Sequence, residues 1–406
     1  MEQVNSVGID VSKGKSTVAI IQPLGVTVKK PYDVRHNRKE LQSLISNLHD
    51  LPGKTKVIME YTGRYYEPVA RSLAGAGLYV SVVNPKLIKD YGNNSLRKVK
   101  TDRADAVKIA RYGIDNWTEL REYNAMDHLR NQLQTLNRQF DFYLKQKTAL
   151  KNNLISILDQ TFPGVNTLFQ SPVREDGHQK WVDFAASFWH VDCVLQCGKK
   201  GFAKRYANWC SRHGYNCRKG DADSIYEYSR ELVATLPKNA DSKTMVTTAI
   251  TALTTISVIM EKTRSEMNTV ASKLPEYETV INMFGVGPSL GPQLMAEIGD
   301  VRRFENRNSI IAFAGVDPGQ NQSGTYEQKS VHTSKRGNSQ LRCTLFKVME
   351  VLIKTKPIDD PVYRFMMKKK LEGKPFHVYM TAGSNKFLRI YYGKVKEFYA
   401  ATNINE

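Results

Sequence analysis

Cysteine is scarce in this chain, and long apolar runs are missing. Five cysteines among 406 residues form an odd set, which argues against the paired framework of a disulfide-rich secreted domain. No uninterrupted apolar run reaches the roughly 18 residues of a membrane span, and residues 1–9 lack a basic segment followed by an apolar one. These absences predict a cytoplasmic protein with reduced thiols and no membrane partner.

Acidic residues are also in deficit. The 59 lysines and arginines outnumber the 40 aspartates and glutamates, which gives a formal net charge of +19. The basic residues are spread over the whole chain, a pattern that favours a polyanionic partner over a small acidic molecule. Nucleic acid is therefore the expected partner, and a chain of this length is expected to form two or three domains.

Four of the five cysteines lie within one segment together with a histidine. The residues are Cys193, Cys197, Cys210, His213 and Cys217. A zinc site would need four of them to converge tetrahedrally, yet the paired CxxC spacing of common zinc modules is missing. Buried structural thiols are the preferred interpretation, and zinc remains the alternative.

The N-terminal third alternates between strand and helix patterns. Three strands joined by tight turns are followed by helix, strand, helix and strand. This order predicts an α/β fold of the ribonuclease-H-like type, with a sheet between helical layers. The expected strands are 6–11, 15–21, 26–29, 55–59 and 78–83, and the expected helices are 37–48 and 65–73.

Four carboxylates in this third have spacings that allow them to converge. Asp10 and Glu60 each end an apolar strand pattern, while Asp102 and Asp105 lie one helical turn apart behind the expected N-cap Thr101. Each acid alone is readily explained as a cap or a solvated charge. As a set, they predict a divalent metal site, because clustered carboxylates repel one another unless a cation compensates.

The middle of the chain predicts two long helices. Heptad seams run through residues 129–157 and 246–270. The two helices could pair within one chain or across subunits, and the sequence does not decide between these arrangements. Between them, residues 162–238 interleave aromatic and basic side chains, which can stack on bases but more often form an ordinary core.

The C-terminal third contains a glycine turn between helical patterns. Gly285 and Gly287 permit a helix-hairpin-helix whose backbone amides would face phosphate, with a plain interhelical turn as the alternative. Ser323 lies in a polar segment that would, in isolation, be interpreted as a loop. Cationic side chains downstream could stabilise a phosphoryl transition state or simply anchor phosphate. These residues are Lys335, Arg336 and Arg342.

Several segments together resemble the IS110 family of insertion-sequence transposases. The N-terminal segments are Gly8-Ile-Asp10-Val-Ser12, Met59-Glu60-Tyr-Thr-Gly63, Val83-Asn84-Pro85 and Lys100-Thr-Asp102-Arg-Ala-Asp105-Ala106. The C-terminal ones run from Gly285-Val-Gly-Pro288 through Ser323-Gly324 and Ser334-Lys335-Arg336-Gly337-Asn338 to Leu341-Arg342. The resemblance covers both ends of the chain.

The resemblance implies a RuvC-like N-terminal domain and a covalent mechanism. Asp10, Glu60, Asp102 and Asp105 would be the DEDD acids that hold Mg²⁺. Ser323 would be the nucleophile that forms a 5′-phosphoserine link to DNA; Ser334 and then Ser330 are the next candidates. The implied partners are a non-coding bridge RNA, double-stranded target and donor DNA, and further copies of the chain in a dimer or tetramer.

The expected organisation has four parts. A RuvC-like domain spans 1–117, coiled-coil helices span 118–275 with an insertion at 162–238, a mainly α transposase domain with the helix-hairpin-helix spans 276–355, and a basic helical tail spans 356–406. Three other functions stay open. They are a structure-selective nuclease acting by hydrolysis, a non-catalytic nucleic-acid-binding scaffold and, as a distant third, an actin-like ATPase.

Overall fold

The computed structural model describes residues 3–61, 63–91, 101–124, 126–317, 322–323, 326–327 and 333–402. The chain divides into two compact units, Met1–Ala125 and Met126–Glu406. The finer domain boundaries expected from the sequence stay predictions.

The N-terminal unit contains a five-stranded mixed sheet with the order β3-β2-β1-β4-β5. β1 pairs antiparallel with β2, which pairs antiparallel with β3, whereas β4 runs parallel to β1 and β5 parallel to β4. The strands are β1 (Val4–Ser12), β2 (Lys15–Ile21), β3 (Thr27–Arg35), β4 (Lys54–Glu60) and β5 (Tyr79–Val83), and the helices are α1 (Arg38–His49), α2 (Tyr66–Gly75), α3 (Pro85–Tyr91) and α4 (Asp102–Asp115). This is the expected ribonuclease-H-like arrangement, with a third strand longer than the predicted 26–29.

Alternate residues of β1 face different helical layers. Val7 and Ile9 join a core with α1 and α2, whereas Gly8 faces α4. A Cβ on Gly8 would lie 2.2 Å from the Ala106 carbonyl oxygen and 2.3 Å from the Ala110 amide nitrogen. The missing side chain therefore allows α4 to pack directly on β1.

Substitution of Gly8 tests this close packing. Gly8→Ala is expected to destabilise the N-terminal unit by about 2–3 kcal/mol, because the backbone of α4 would have to move away from the sheet. Gly75→Ala is the matched control: Gly75 ends α2, a Cβ added there would meet nothing within 4 Å, and alanine should stabilise by up to about 1 kcal/mol. Thermal unfolding with hydrogen exchange on β1 and α4 measures both changes; equal effects would contradict the packing argument.

Two long helices, α5 (His128–Thr161) and α10 (Ala240–Ala271), pack along each other in the second unit. Seam residues Leu133 and Phe140 of α5 are buried, as are Val246 and Met260 of α10. The two long helices therefore pair with each other within one chain. Pairing with another subunit stays a prediction.

Helix α10 is long and apolar enough to cross a membrane, judged by length and composition alone. Within the part of the chain that the structure describes, it alone meets the length and composition expected of a membrane span. A core helix meets the same criteria, and α10 buries its seam against α5. This helix is weak evidence for a membrane location.

The segment between the long helices folds into short helices around an aromatic core. These are α6 (Lys180–Ser187), α7 (Asp192–Leu195), α8 (Gly198–His213) and α9 (Asp221–Arg230). Phe184, Phe202 and Tyr206 are fully buried and belong to the same cluster as Leu154 of α5 and Val246 of α10. The aromatic residues therefore form a core, as preferred from the sequence.

The cysteines of this segment do not share one environment. Cys193 and Cys210 are buried, Cys197 is partly exposed and Cys217 is exposed. In the described ranges, no group of three or more histidine, cysteine, aspartate or glutamate side chains is placed to hold a metal ion. The structure thus offers no support for the zinc alternative. The interpretation as buried thiols is correct for Cys193 and Cys210 and wrong for Cys197 and Cys217.

The C-terminal part is mainly helical. Its elements are α11 (Tyr277–Ile281), α12 (Gly287–Ile298), α13 (Arg307–Ala314), β6 (Gln322–Ser323), β7 (Tyr326–Glu327), α14 (Ser339–Thr355), α15 (Pro361–Leu371) and α16 (Phe376–Thr402). A buried polar network ties α16 to the start of α5. Arg130 bonds to the Glu276 carboxylate and donates to the Tyr399 hydroxyl at 2.9 Å, and Tyr399 donates to Glu276 at 2.6 Å.

Candidate active site

A row of polar side chains crosses four strands on the sheet face that α4 covers. Asp10 of β1 pairs with Thr17 of β2, which pairs with Asp33 of β3. On the other side of β1, Ile9 pairs with Met59, so Glu60 stands beside Asp10 at the end of β4. Neighbouring strands lie about 4.8 Å apart, which places the Asp10 and Glu60 backbones side by side.

Helix α4 brings two more carboxylates over this row. The Thr101 hydroxyl accepts a hydrogen bond from the Ala104 amide at 3.2 Å and caps the helix, as the sequence predicts. Asp102 and Asp105 both lie in the first turn. Because α4 rests on Gly8, two residues before Asp10, this first turn lies near the end of β1.

Burial and neighbouring negative charge raise the pKa of two of these carboxylates. Burial raises the pKa of Asp10 to about 6, with further contributions from the negative charges of Asp105 and Asp102. The pKa of Glu60 is also raised, by burial first and then by Asp10 and Asp105, while Lys108 opposes the shift. All four predicted acids therefore share one electrostatic site.

The donor set suits a hard divalent cation. Mg²⁺ prefers carboxylate oxygens, and a cation offsets both the burial of charge and the repulsion between acids that raise the pKa values of Asp10 and Glu60. Within the described residues, no three of these acids already stand at the spacing of a metal-ligand set. Binding an ion would require their side chains to draw together.

A second region flanks the predicted nucleophile along the chain. Residues 313–317 and 334–338 run alongside each other, and we call this pair the clasp. The Asn338 amide donates to the Phe313 carbonyl at 2.7 Å, and the Ser334 amide donates to the Asp317 carbonyl at 3.2 Å. Ser323 lies between these two arms of the clasp in sequence, and its backbone pairs with Tyr326 in the β6-β7 ladder. The Ser323 side chain and all of Ser330 lie outside the described residues.

Ser334 is engaged inside the clasp. Its hydroxyl donates to the Asp317 carboxylate at 2.6 Å and accepts from the Arg336 amide at 3.5 Å. Lys335 has a left-handed backbone with φ of 50°, and both Lys335 and Arg336 are exposed. Two of the three predicted cationic groups are thus accessible at this edge of the clasp.

The third predicted cation, Arg342, forms hydrogen bonds within the protein. One guanidinium nitrogen donates to the Ala314 carbonyl at 2.9 Å and to the Gly337 carbonyl at 3.1 Å, so it joins the two arms of the clasp. Burial lowers the pKa of Arg342. Its described contacts are those of a structural anchor, and phosphate binding by Arg342 stays a prediction.

Glu297 was not singled out from the sequence. It is fully buried in α12 and accepts hydrogen bonds from Asn137 at 3.0 Å and from Asn338 at 2.7 Å, with Arg138 3.6 Å away. The Asn338 side-chain oxygen also caps α14 by accepting from the Gln340 and Leu341 amides. The sequence signal that could have identified Glu297 is that it is the one acidic residue in the apolar sequence of α12.

Removal of this contact tests the role of Glu297. Asn338→Ala is expected to cost about 2–3 kcal/mol, because it removes an N-cap and also leaves a buried carboxylate with one hydrogen bond fewer. Asn306→Ala, which removes the exposed N-cap of α13, should cost only about 1 kcal/mol. Urea unfolding of the full chain measures the difference; equal losses would show that the Glu297 bond adds nothing.

The predicted glycine turn is present between α11 and α12. Gly285 and Gly287 have φ values of 77° and 55°. Gly285 packs against α14, since a Cβ there would lie 3.0 Å from Leu352, whereas none of the described residues has an atom within 4 Å of the Cβ position of Gly287. Gly287 therefore presents the open side of the turn, and phosphate binding there stays a prediction.

Comparison with known proteins gives matches at both ends of the chain. Residues 7–163 match the DEDD transposase family of IS110, and residues 277–364 match the transposase IS116/IS110/IS902 family. The pilin gene-inverting proteins of Moraxella lacunata and Moraxella bovis are each 22% identical over 358 residues, covering 88% of this chain and 85% of theirs.

Two further likenesses differ in strength. The transposase for insertion sequence element IS1111A of Coxiella burnetii is 22% identical over 361 residues, covering 87% of this chain and 79% of its own. The solved structure of T. thermophilus RuvC in complex with a Holliday junction substrate is 14% identical, covers 30% of this chain and all of its own, and has a TM-score of 0.24. That score is too low to support an inference.

Proposed function

Since the chain belongs to the IS110 family of transposases, we propose that it is a DNA recombinase guided by a bridge RNA. In this proposal it cuts target and donor DNA and rejoins the exchanged strands. The supporting observation is that Asp10 and Glu60 lie at the ends of neighbouring strands while Asp102 and Asp105 lie in the first turn of α4, with each acid within electrostatic reach of another.

The four acids would hold Mg²⁺. When bound, the ion supplies positive charge to the scissile phosphate and orients it for in-line displacement. Protons compete with the ion for the carboxylates, so the raised pKa of Asp10, about 6, should make the apparent affinity for Mg²⁺ increase with pH through this range. Partial burial of Asp10 and Glu60 limits competition by water.

Ser323 supplies the covalent step. Its hydroxyl oxygen attacks the scissile phosphorus, a new serine O–P bond forms and the P–O3′ bond breaks. The departing 3′ oxygen takes up a proton as the serine loses its own, so the products are a 5′-phosphoserine and a free 3′-hydroxyl. Attack by a 3′-hydroxyl of the exchanged strand reverses these changes, and no external energy source is needed.

The basic edge of the clasp would hold the DNA backbone during this step. Lys335 and Arg336 are exposed and follow the segment that carries Ser323 in sequence, so their charges can meet a phosphate. The open side of the turn at Gly287 offers backbone contact to another phosphate. Arg342 would keep the two arms of the clasp together.

Guide RNA and further copies of the chain complete the proposed assembly. The net charge of +19 suits binding to two polyanions at once. Base pairing by the RNA would select the DNA sequence, as in other RNA-guided systems. A dimer or tetramer would place the separate reaction centres on the strands to be exchanged.

Reconstitution tests the proposal. The full chain is incubated with Mg²⁺, RNA transcribed from the non-coding DNA that flanks the gene, and labelled DNA carrying the element junction. A protein-DNA adduct that survives denaturation, and that requires the RNA, is the expected result. Cleavage that leaves free 5′-phosphates without an adduct would indicate a hydrolytic nuclease, and intact DNA under every condition would indicate a scaffold; either would overturn the proposal.

A further inference from the structure

A fifth carboxylate, Asp33, lies on the same strand row as the proposed metal ligands. It is separated from Asp10 by Thr17 alone, which is the register partner of both. Two strand spacings amount to about 10 Å, so Asp33 is too far from Asp10 to bind the same ion. Asp33 therefore has a role other than binding the metal ion.

Asp33 holds a lysine. One carboxylate oxygen lies 3.1 Å from the Lys15 ammonium, and the other accepts a hydrogen bond from the Thr17 hydroxyl at 2.9 Å. Lys15 begins β2 and lies two residues from Thr17, so the two side chains share the face of Asp10. Thr17 thereby fixes the carboxylate that in turn orients Lys15.

A second cation lies close by. Arg103 is exposed in the first turn of α4, between Asp102 and Asp105 in sequence. Its positive charge contributes to lowering the pKa of Asp33, after the larger effects of the bonds from Thr17 and Lys15. Positive charge from two elements therefore borders the carboxylate cluster on its β3 side.

Stability does not account for this arrangement. Lys15 and Asp33 side chains are 46% and 50% exposed, and ion pairs with such exposure contribute little to folding. An acid beside a DNA-binding site also repels phosphate unless it serves another group. Asp33 compensates for that repulsion by holding Lys15 in a fixed place.

We propose that Lys15 binds a backbone phosphate next to the scissile one, and that Asp33 positions Lys15 for this contact. The ligand is the nucleic-acid backbone, recognised by charge without regard to sequence. The contribution to cleavage rests on the proposed function, whereas the contribution to DNA binding does not.

Binding to a fluorescent DNA duplex of mixed sequence, titrated with salt in Mg²⁺ buffer, tests Lys15 in the full chain. Lys15→Ala should weaken binding about three- to tenfold and lower the salt-dependence slope by about one, the value for one lost phosphate contact. Lys15→Arg should retain both. The matched control is Lys39→Ala on α1, an exposed lysine on the opposite face of the sheet, which should change neither.

The direction in which Asp33→Asn changes DNA affinity and cleavage rate distinguishes the two possible roles of Asp33. If Asp33 only repelled DNA, loss of its charge would tighten binding and leave or raise the cleavage rate. Positioning predicts instead a cleavage rate at saturating DNA lowered about tenfold, with no further loss when Lys15→Ala is added. Faster cleavage by Asp33→Asn, or additive losses in the double variant, would overturn the proposal.

The two proposals fail in different ways. Unchanged binding by Lys15→Ala would reject the phosphate contact even if the wild-type chain recombines DNA. A reduced salt slope in a chain that never cleaves DNA would support the contact while rejecting the recombinase function.

Discussion

Ser323→Ala is expected to abolish covalent protein-DNA adducts and strand rejoining, with a rate loss of at least about a thousandfold. The hydroxyl oxygen forms the bond to phosphorus, so alanine lacks the nucleophile. The substitution does not alter the main-chain groups of β6. DNA and RNA binding should remain near wild type. Denaturing gels with labelled DNA measure the adduct, and gel shift measures binding.

Ser334→Ala is the matched comparison. Its hydroxyl is already hydrogen-bonded to Asp317 at 2.6 Å, so we expect a looser clasp and a slower reaction with the adduct retained. The reverse pattern, with adducts lost in Ser334→Ala and kept in Ser323→Ala, would transfer the nucleophile to Ser334. Full recombination by Ser323→Ala would reject it as the nucleophile.

Asp10→Asn is expected to stop Mg²⁺-dependent strand cleavage and, without metal, to stabilise the N-terminal unit. The folded chain holds the Asp10 proton with a pKa of about 6, against an ordinary pKa of 3.8 for an aspartate. The stability from this proton is complete below about pH 4 and is lost as pH rises through 6. At neutral pH the charged carboxylate therefore destabilises the fold, and the neutral amide should recover about 1–2 kcal/mol after allowance for solvent screening.

Thermal unfolding across pH 4–8, with and without Mg²⁺, separates these effects. The wild-type chain should lose stability between pH 4 and 6 in the absence of metal and regain it when Mg²⁺ is added. Asp10→Asn should lose the Mg²⁺ response and keep only a smaller pH response from Glu60, whose pKa burial also raises, and Asp50→Asn, at the exposed end of α1, should behave like wild type. A pH profile shared by all three proteins would show that Asp10 lies in no special environment.

Local patterns predicted the strand order of the N-terminal unit and its helices α1, α2 and α4, but not α3 or the full length of β3. Alternating apolar residues give strands by a period of two, and Asp10 and Glu60 end strands that the parallel pairing of β1 and β4 brings together. Thr101 caps α4 because its hydroxyl can reach an amide three residues on. Each of these inferences needed only neighbouring residues and the regular geometry of a strand or helix.

Long-range partners were not predictable in this way. The heptad seams of α5 and α10 are compatible with any facing helix, and only packing identifies each as the other's partner. Glu297 has its hydrogen-bonding partners Asn137 and Asn338 at distances of 160 and 41 residues along the chain. The ion pair between Lys15 and Asp33 depends on the register of β2 and β3, and the strand predicted at 26–29 ended before it reached Asp33.

Calorimetric titration of the full chain with Mg²⁺ tests most directly whether the four acids share a cation. We expect saturable binding to the wild-type chain and to Asp50→Asn, with loss of that binding in Asp10→Asn, Glu60→Gln and Asp105→Asn alike, because each removes a charge from the same site. Binding that persists unchanged in all three would contradict a shared metal site at the end of β1.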